Sequence, residues 1–258
     1  MAGKYGMGTA LLVAACWVSP PAVCGADAPL PLRIAAQEGS EPKFVAEGDK
    51  IGGLCIDILR AVEAIDPGLR FVGDQQWKPL IRVISELANG SEDVACALQR
   101  TPQREQQFHF IGPALFTIDY HFLARSDDNV VITSWDDVRR LGPDTVVLVN
   151  RGYAAGEIIG AMGNFKVDAS SPRAELNLHK LMIGRGRLYF HRGPGLHQLL
   201  ARTGTAGQVR ILPQVMYSAK LYFAASKQLD RKISERLASA LFALEKKGEL
   251  ERLMRKWD

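Results

Sequence analysis

Cysteine, histidine and long apolar runs are all scarce in this chain of 258 residues, and each shortage excludes a class of protein. With four cysteines, two of them inside an N-terminal leader (Cys16 and Cys24), only Cys55 and Cys96 remain for the folded part. That rules out a disulfide-built scaffold. The five histidines show no His-Glu-x-x-His or other metal-ligand spacing, so no metal is expected. No Gly-x-Ser-x-Gly elbow occurs. The stretch "GRGRLY" (184–189) lacks the third glycine of a dinucleotide loop and follows no clear strand, so no cofactor is expected either. Nothing beyond the leader approaches the length of a transmembrane helix. Internal repeats, low-complexity tracts and Pro/Ser-rich linkers are also missing.

Lys4 gives the leader a short positive start, and "ALLVAACWV" (10–18) is apolar but too short to span a bilayer. Small residues follow in "CGADA" (24–28), so a signal peptide over residues 1–26 is expected, cut after Ala26. A rival cut at "VAAC" (13–16) would lipidate Cys16, but it would leave a very short apolar core, and ordinary secretion to the periplasm is the better fit. In an oxidising compartment Cys55 and Cys96 either form a disulfide or stay as two buried thiols. The formal charge of +4 is too mild to demand nucleic acid. Arg185, Arg187 and Arg192 around Tyr189 and Phe190 imitate a nucleic-acid patch, which an exported chain does not need.

The remaining chain alternates strand and helix signals. "LRIAAQ" (32–37), "LRFVG" (69–73) and "DVACALQ" (93–99) read as strands. Between them, "IDILRAVEAI" (56–65) reads as a helix stopped by Pro67-Gly68, and "PLIRVISELANG" (79–90) as one bounded by Pro79 and Asn89-Gly90. That β-α-β-α-β order predicts a parallel sheet covered by helices, with ligand bound beyond the carboxyl ends of its strands. A second set begins near Tyr120. It comprises strands at "YHFLAR" (120–125), "TVVLV" (145–149), "RLYFH" (187–191) and "VRILP" (209–213). A short helix opens at Ser134, and "NRGYAAGEIIGAM" (150–162) reads as a turn and then a helix. "LYFAAS" (221–226) leads into an amphipathic segment (229–257) with Ile233, Leu237, Leu241 and Leu244 on one face and a break at Gly248.

Several landmarks stand in order. They are "GGLCIDILRAVE" (52–63), Trp77 with "ELANGSED" (86–93), "RTPQRE" (100–105) with "FHFIGP" (108–113), "SWDDVRRLGPDTVVLVNRG" (134–152) and "LFALEKKGELERLMRKW" (241–257). Together they resemble the extracellular solute-binding proteins of family 3, the polar amino-acid binders of ABC importers. The resemblance implies a two-lobed α/β fold of the type II periplasmic-binding-protein kind, each lobe a mostly parallel sheet flanked by helices. Residues 27–117 and 221–258 would form one lobe and 118–220 the other, with the ligand in the cleft between them.

It also implies a set of site residues. The arginine of the Thr-x-x-Arg turn, here Arg104, would bind the ligand's carboxylate through two parallel N–H donors. Gln99 and Thr101 lie at the same strand end; Gln99 offers an amide that donates and accepts. Trp77, and more weakly Phe44, resemble the aromatics that cover the ligand. In the second lobe the turn at Asn150, Arg151 and Gly152 leads to Tyr153 and Ala154, whose N–H groups would face the cleft at a helix N-terminus. The chain departs from the family at Arg192, which stands where amino-acid binders place the Asp that receives the ligand's ammonium. Arginine repels an ammonium, so a carboxylate-bearing ligand without that amine, an organic acid or an atypical amino acid, is expected. Gln37 or Glu38 would receive a cation from the other side.

The reading is a periplasmic, monomeric solute-binding protein that hands a small carboxylate to an ABC permease by hinge closure, without chemistry. A dehydratase-like enzyme on the same fold, acting on a cyclic carboxylic acid, is one alternative. A ligand-sensing or partner-binding module is the other.

Overall fold

The computed structural model describes residues 1–3 and 28–257, and the expected signal peptide, its cut after Ala26 and Cys16 fall outside those residues. The first elements are β1 (Leu30–Arg33), β2 (Ala36–Gln37), a hairpin of β3 (Val45–Glu47) and β4 (Lys50–Gly52), and α1 (Leu54–Ile65). There follow β5 (Leu69–Val72), β6 (Trp77–Lys78), α2 (Leu80–Asn89), β7 (Val94–Gln99) and the single turn α3 (Pro102–Glu105). An 18-residue strand, β8 (Phe108–Arg125), carries the chain into the second set. That set holds α4 (Trp135–Arg140), β9 (Val146–Leu148), α5 (Ala155–Met162), β10 (Lys166–Asp168), α6 (Ala174–Met182), β11 (Leu188–Arg192), α7 (Leu196–Arg202) and β12 (Val209–Ile211). The chain returns through β13 (Tyr217–Ser226) and ends in α8 (Arg231–Lys246) and α9 (Glu249–Trp257).

β8 and β13 are the frame. They pair antiparallel from Tyr120↔Tyr217 to Phe108↔Ser226. At one end β13 pairs with β7, and at the other β8 pairs with β11 and β12. Beyond β11 lie β9 and β10, all three parallel, as expected for strands fed by helices. The boundaries expected at 117/118 and 220/221 fall inside these two strands. The return of the chain is visible at α9, where the Lys256 ammonium and the Trp257 indole N–H both donate to Asp57 of α1, at 2.7 and 2.8 Å.

One expectation is corrected. The first set does not form a continuous parallel sheet: β1 pairs with β5 alone, while β7 joins β13 antiparallel. β7 meets β1 at a single backbone bond, Asp93 N–H to Arg33 O at 3.0 Å, reinforced by the Arg33–Asp93 ion pair. All six residues of β7 are buried, so both faces need cover, and β13 supplies its ladder partner from far along the chain. Local pattern carries no information on that choice. Elements unmarked in the sequence reading include the β3–β4 hairpin, β6, β10, α6 and α7.

Where local signals were strong, the elements form as their chemistry dictates. α2 begins after Pro79, whose missing N–H costs nothing there, and ends at Gly90 in the left-handed conformation. Ser134 and Asp137 close a capping box at the start of α4. Gly248, at φ +68°, breaks the last helix into α8 and α9. Leu237, Leu241 and Leu244 of α8 are buried, each worth about 1.5–3 kcal/mol on leaving water. Cys55, at the start of α1, is joined to Cys96 of β7, which settles the choice between a disulfide and two thiols.

Candidate functional site

A cavity lies between the lobes, with about 90 Å³ open to the centre of a water-sized sphere. That is room for several waters or one small organic molecule. Its polar side chains are Gln37, Lys43, Gln99, Arg104, Thr117, Tyr120, Tyr153 and Arg192, and apolar cover comes from Leu54, Leu80, Phe116 and Leu221, among others. Three of these are basic groups, and among the described residues no carboxylate lines the wall.

Arg104 reaches the cavity because of how its turn is capped. Thr101 is the N-cap of α3: its hydroxyl accepts from the Arg104 N–H, and Pro102 fixes the first helical residue. Arg104 as a whole is 5% exposed. It donates to Gln99 O at 3.0 Å and, across the cleft, to Gly152 O at 3.1 Å. Burial lowers its pKa, while the negative charge of Glu157, outside the cavity wall, acts the other way. Gln99 accepts from the Tyr120 hydroxyl at 2.9 Å, and burial pushes that phenol up to about 12, so it remains a donor.

Arg192 is the last residue of β11 and faces Arg104's side of the cleft from the second lobe. It donates to Gly39 O and Glu41 O of the first lobe, at 2.9 and 2.7 Å, and to Pro194 O at 2.8 Å. Its Nε is buried with no partner among the described residues. Arg192 is therefore both a tie between the lobes and an uncompensated charge at the cavity. The adjacent His191 is held down to about 3 by burial and then by Arg192, so it stays neutral at physiological pH and adds no charge here.

Lys43 was missed in the sequence. Its ammonium, in the loop between β2 and β3, donates to Gln37 Oε1 at 2.5 Å and to Ala97 O at 3.1 Å. Ala97 is the one non-glycine residue with positive φ among those described, at +57°, and lies where the β7–β13 register shifts. A left-handed alanine costs about 1–2 kcal/mol, and this one turns its carbonyl to the lysine. No periodicity or motif marks Lys43 as buried. Gln37 also donates to the Tyr153 hydroxyl across the cleft at 3.3 Å.

The structure thus brings Gln37, Gln99, Arg104, Tyr153, Ala154 and Arg192 to one wall. Other expected residues lie elsewhere. Trp77 is 40% exposed on β6 and outside the cavity, because β6 pairs with β2 at the rim and turns the indole to solvent. Phe44 is packed in the hydrophobic core instead of over the cleft. Glu38 is exposed and lines an outer groove, too far round the loop to receive a cation in the cavity. Thr101 acts through Arg104 and does not line the wall. Asn150 turns into the second lobe, where its Oδ1 accepts from Asn177 and Tyr189. Arg151 is exposed, with its N–H given to Ser171 O. Gly152 contributes a carbonyl to Arg104 and does not line the wall, and the Tyr153 N–H is given to Asn150 O. Among the described residues there is no cluster of three or more His, Cys, Asp or Glu able to hold a metal, and no helix long and apolar enough to cross a membrane.

Residues 32–258 match the model of the family described as bacterial extracellular solute-binding proteins, family 3. No curated protein matches the chain by sequence. Solved structures are similar in fold. An ancestral arginine-binding protein bound to arginine has a TM-score of 0.71 and 20% identity, over 88% of this chain and 97% of that one. The ligand-binding core of GluR0 from Nostoc punctiforme, in complex with L-glutamate, has a TM-score of 0.68 and 20% identity, over 88% and 99%. An ancestral amino acid-binding protein, a precursor of cyclohexadienyl dehydratase, has a TM-score of 0.68 and 19% identity, over 88% and 95%.

Proposed function

The chain belongs to the bacterial extracellular solute-binding proteins of family 3, and on that premise we propose that it captures a small carboxylate-bearing solute in the periplasm and presents it to an ABC permease. The observation that carries the reading is the cavity wall: Lys43, Arg104 and Arg192 line it and no carboxylate does. Arg104 takes the ligand's carboxylate through its two-pronged guanidinium. An α-amino acid also brings an ammonium, which here would meet the charges of Arg104 and Arg192 and only neutral acceptors. An organic acid, or an atypical amino acid lacking that amine's charge, is the better ligand.

Residues 27–117 with 221–258 act as one lobe and 118–220 as the other, hinged on β8 and β13. Closure is assisted by the bonds that cross the cleft, Arg104 to Gly152 O, Gln37 to Tyr153, and Arg192 to Gly39 O and Glu41 O. The protein acts as an exported monomer after loss of residues 1–26. A dehydratase-like enzyme is the second reading, and one observation favours it: a buried lysine amine is a suitable general base. Turnover of the bound ligand would establish it.

A thermal-shift screen tests the proposal. A ligand at a hundred times its Kd should stabilise the fold by about 2.7 kcal/mol, or about 5–10 °C in a chain of this length. Organic acids should produce that shift and the standard amino acids should not. A larger shift with an ordinary polar amino acid would refute the ligand class.

A further inference from the structure

We propose that Lys43 is a second anion anchor, and that Lys43, Arg104 and Arg192 together commit the cavity to a small solute bearing two negative charges and no positive one, a short dicarboxylate. The inference rests on the preceding reading that the cavity holds a carboxylate-bearing solute, and it adds the number of charges, the residue that selects for the second, and a link to protons.

Lys43 is 6% exposed, and its ammonium has three N–H donors, of which two are placed, on Gln37 Oε1 and Ala97 O. Both acceptors are neutral. A buried ammonium with neutral partners alone is costly, and it is retained where a counter-ion arrives. Among the described residues no carboxylate lines the cavity to supply that counter-ion. Glu41 and Glu175 are paired with Arg202 on the outside, and Glu157 acts on Arg104 from beyond the wall. Arg192 lends its charge, but most of its N–H groups are committed to the carbonyls of Gly39, Glu41 and Pro194. Arg104 and Lys43 are therefore the two groups best able to hold separate carboxylates, with Arg192 between the lobes supporting both. The small volume limits the ligand to a few carbons.

A proton link follows from the same geometry. Burial, then the charges of Arg192 and Arg104, hold the Lys43 ammonium well below the ordinary lysine range. The other ionisable groups lining the cavity are Tyr120 and Tyr153, both raised by burial and so kept neutral. A dianion reverses the repulsion on Lys43 and draws a proton onto it. Binding takes up protons wherever the empty site is unprotonated, and affinity falls as pH rises through the pKa of Lys43 in the complex.

Calorimetric titration of the full mature chain with malonate, succinate and glutarate, beside acetate, propionate and L-glutamine, tests this. Two buffers of different ionisation enthalpy report proton uptake in the wild type without any variant. Dicarboxylates should bind more tightly than monocarboxylates, with proton uptake that grows as the titration is repeated at higher pH. Lys43→Met should weaken the dicarboxylates by about tenfold to a hundredfold, weaken the monocarboxylates far less and abolish the proton uptake. Monocarboxylates binding as tightly as dicarboxylates, or a dicarboxylate unaffected by Lys43→Met, would overturn the role of Lys43 while leaving an organic-acid binder intact. Tighter binding of L-glutamine than of every acid, or no acid binding at all, would overturn both.

Discussion

Arg104→Ala is expected to abolish ligand-induced stabilisation while leaving the empty protein folded. The proposed bidentate pair between its guanidinium and a carboxylate would form in a buried site, and truncating one partner would leave the other charge buried and alone. Such truncations cost about 2–5 kcal/mol, which is roughly 30- to 5000-fold in Kd. The empty fold should lose little, because the variant also removes a desolvated charge. What it gives up are two bonds to carbonyls, at Gln99 and Gly152. The Gly152 bond joins the lobes, so the variant should also rest in a more open arrangement, visible by small-angle scattering. A variant that binds an organic acid with wild-type affinity would show that the anchor lies elsewhere.

Breaking the Cys55–Cys96 disulfide is expected to produce the largest loss of stability available from a single bond. The bridge spans 41 residues and is buried between α1 and β7. Loop-closure entropy puts its contribution at about 3–4 kcal/mol. A Cys55→Ala/Cys96→Ala double variant should unfold at correspondingly lower denaturant. A second effect should accompany it, because Cys96 adjoins Ala97, whose left-handed conformation points its carbonyl at Lys43. Loosening that strand should weaken ligand binding as well as the fold. Unchanged denaturant midpoints in oxidised and reduced wild type would contradict the first effect. Affinity unchanged in a variant of reduced stability would contradict the second.

What the sequence made legible, and what it hid, divides by the range of the interaction. α2, α4 and α8 announce themselves through caps, breakers and 3.6-residue periodicity, all encoded within a few residues. Arg104 was legible too, since Thr101 and Pro102 set its turn locally. The placement of β7 beside β13 was not, because that pairing joins segments more than a hundred residues apart. Trp77 misled for a related reason. Its aromatic character is evident, but its facing depends on a two-residue pairing with β2. Asn150 misled because Asn177 and Tyr189, from α6 and β11, draw its amide inward. Lys43 stayed hidden because a lysine reads as surface unless the carbonyl that receives it is known, and Ala97 is distant in sequence. The departure at Arg192 was visible as a residue type; that it also grips the opposite lobe through two carbonyls, those of Gly39 and Glu41, was not.

Mass spectrometry of the small molecule released on denaturing protein purified without added ligand tests the central claim most directly. The account predicts an organic acid, with two carboxylates and no amine, in near-stoichiometric amount from the wild type and absent from Arg104→Ala. Recovery of an ordinary α-amino acid from the wild type would contradict it.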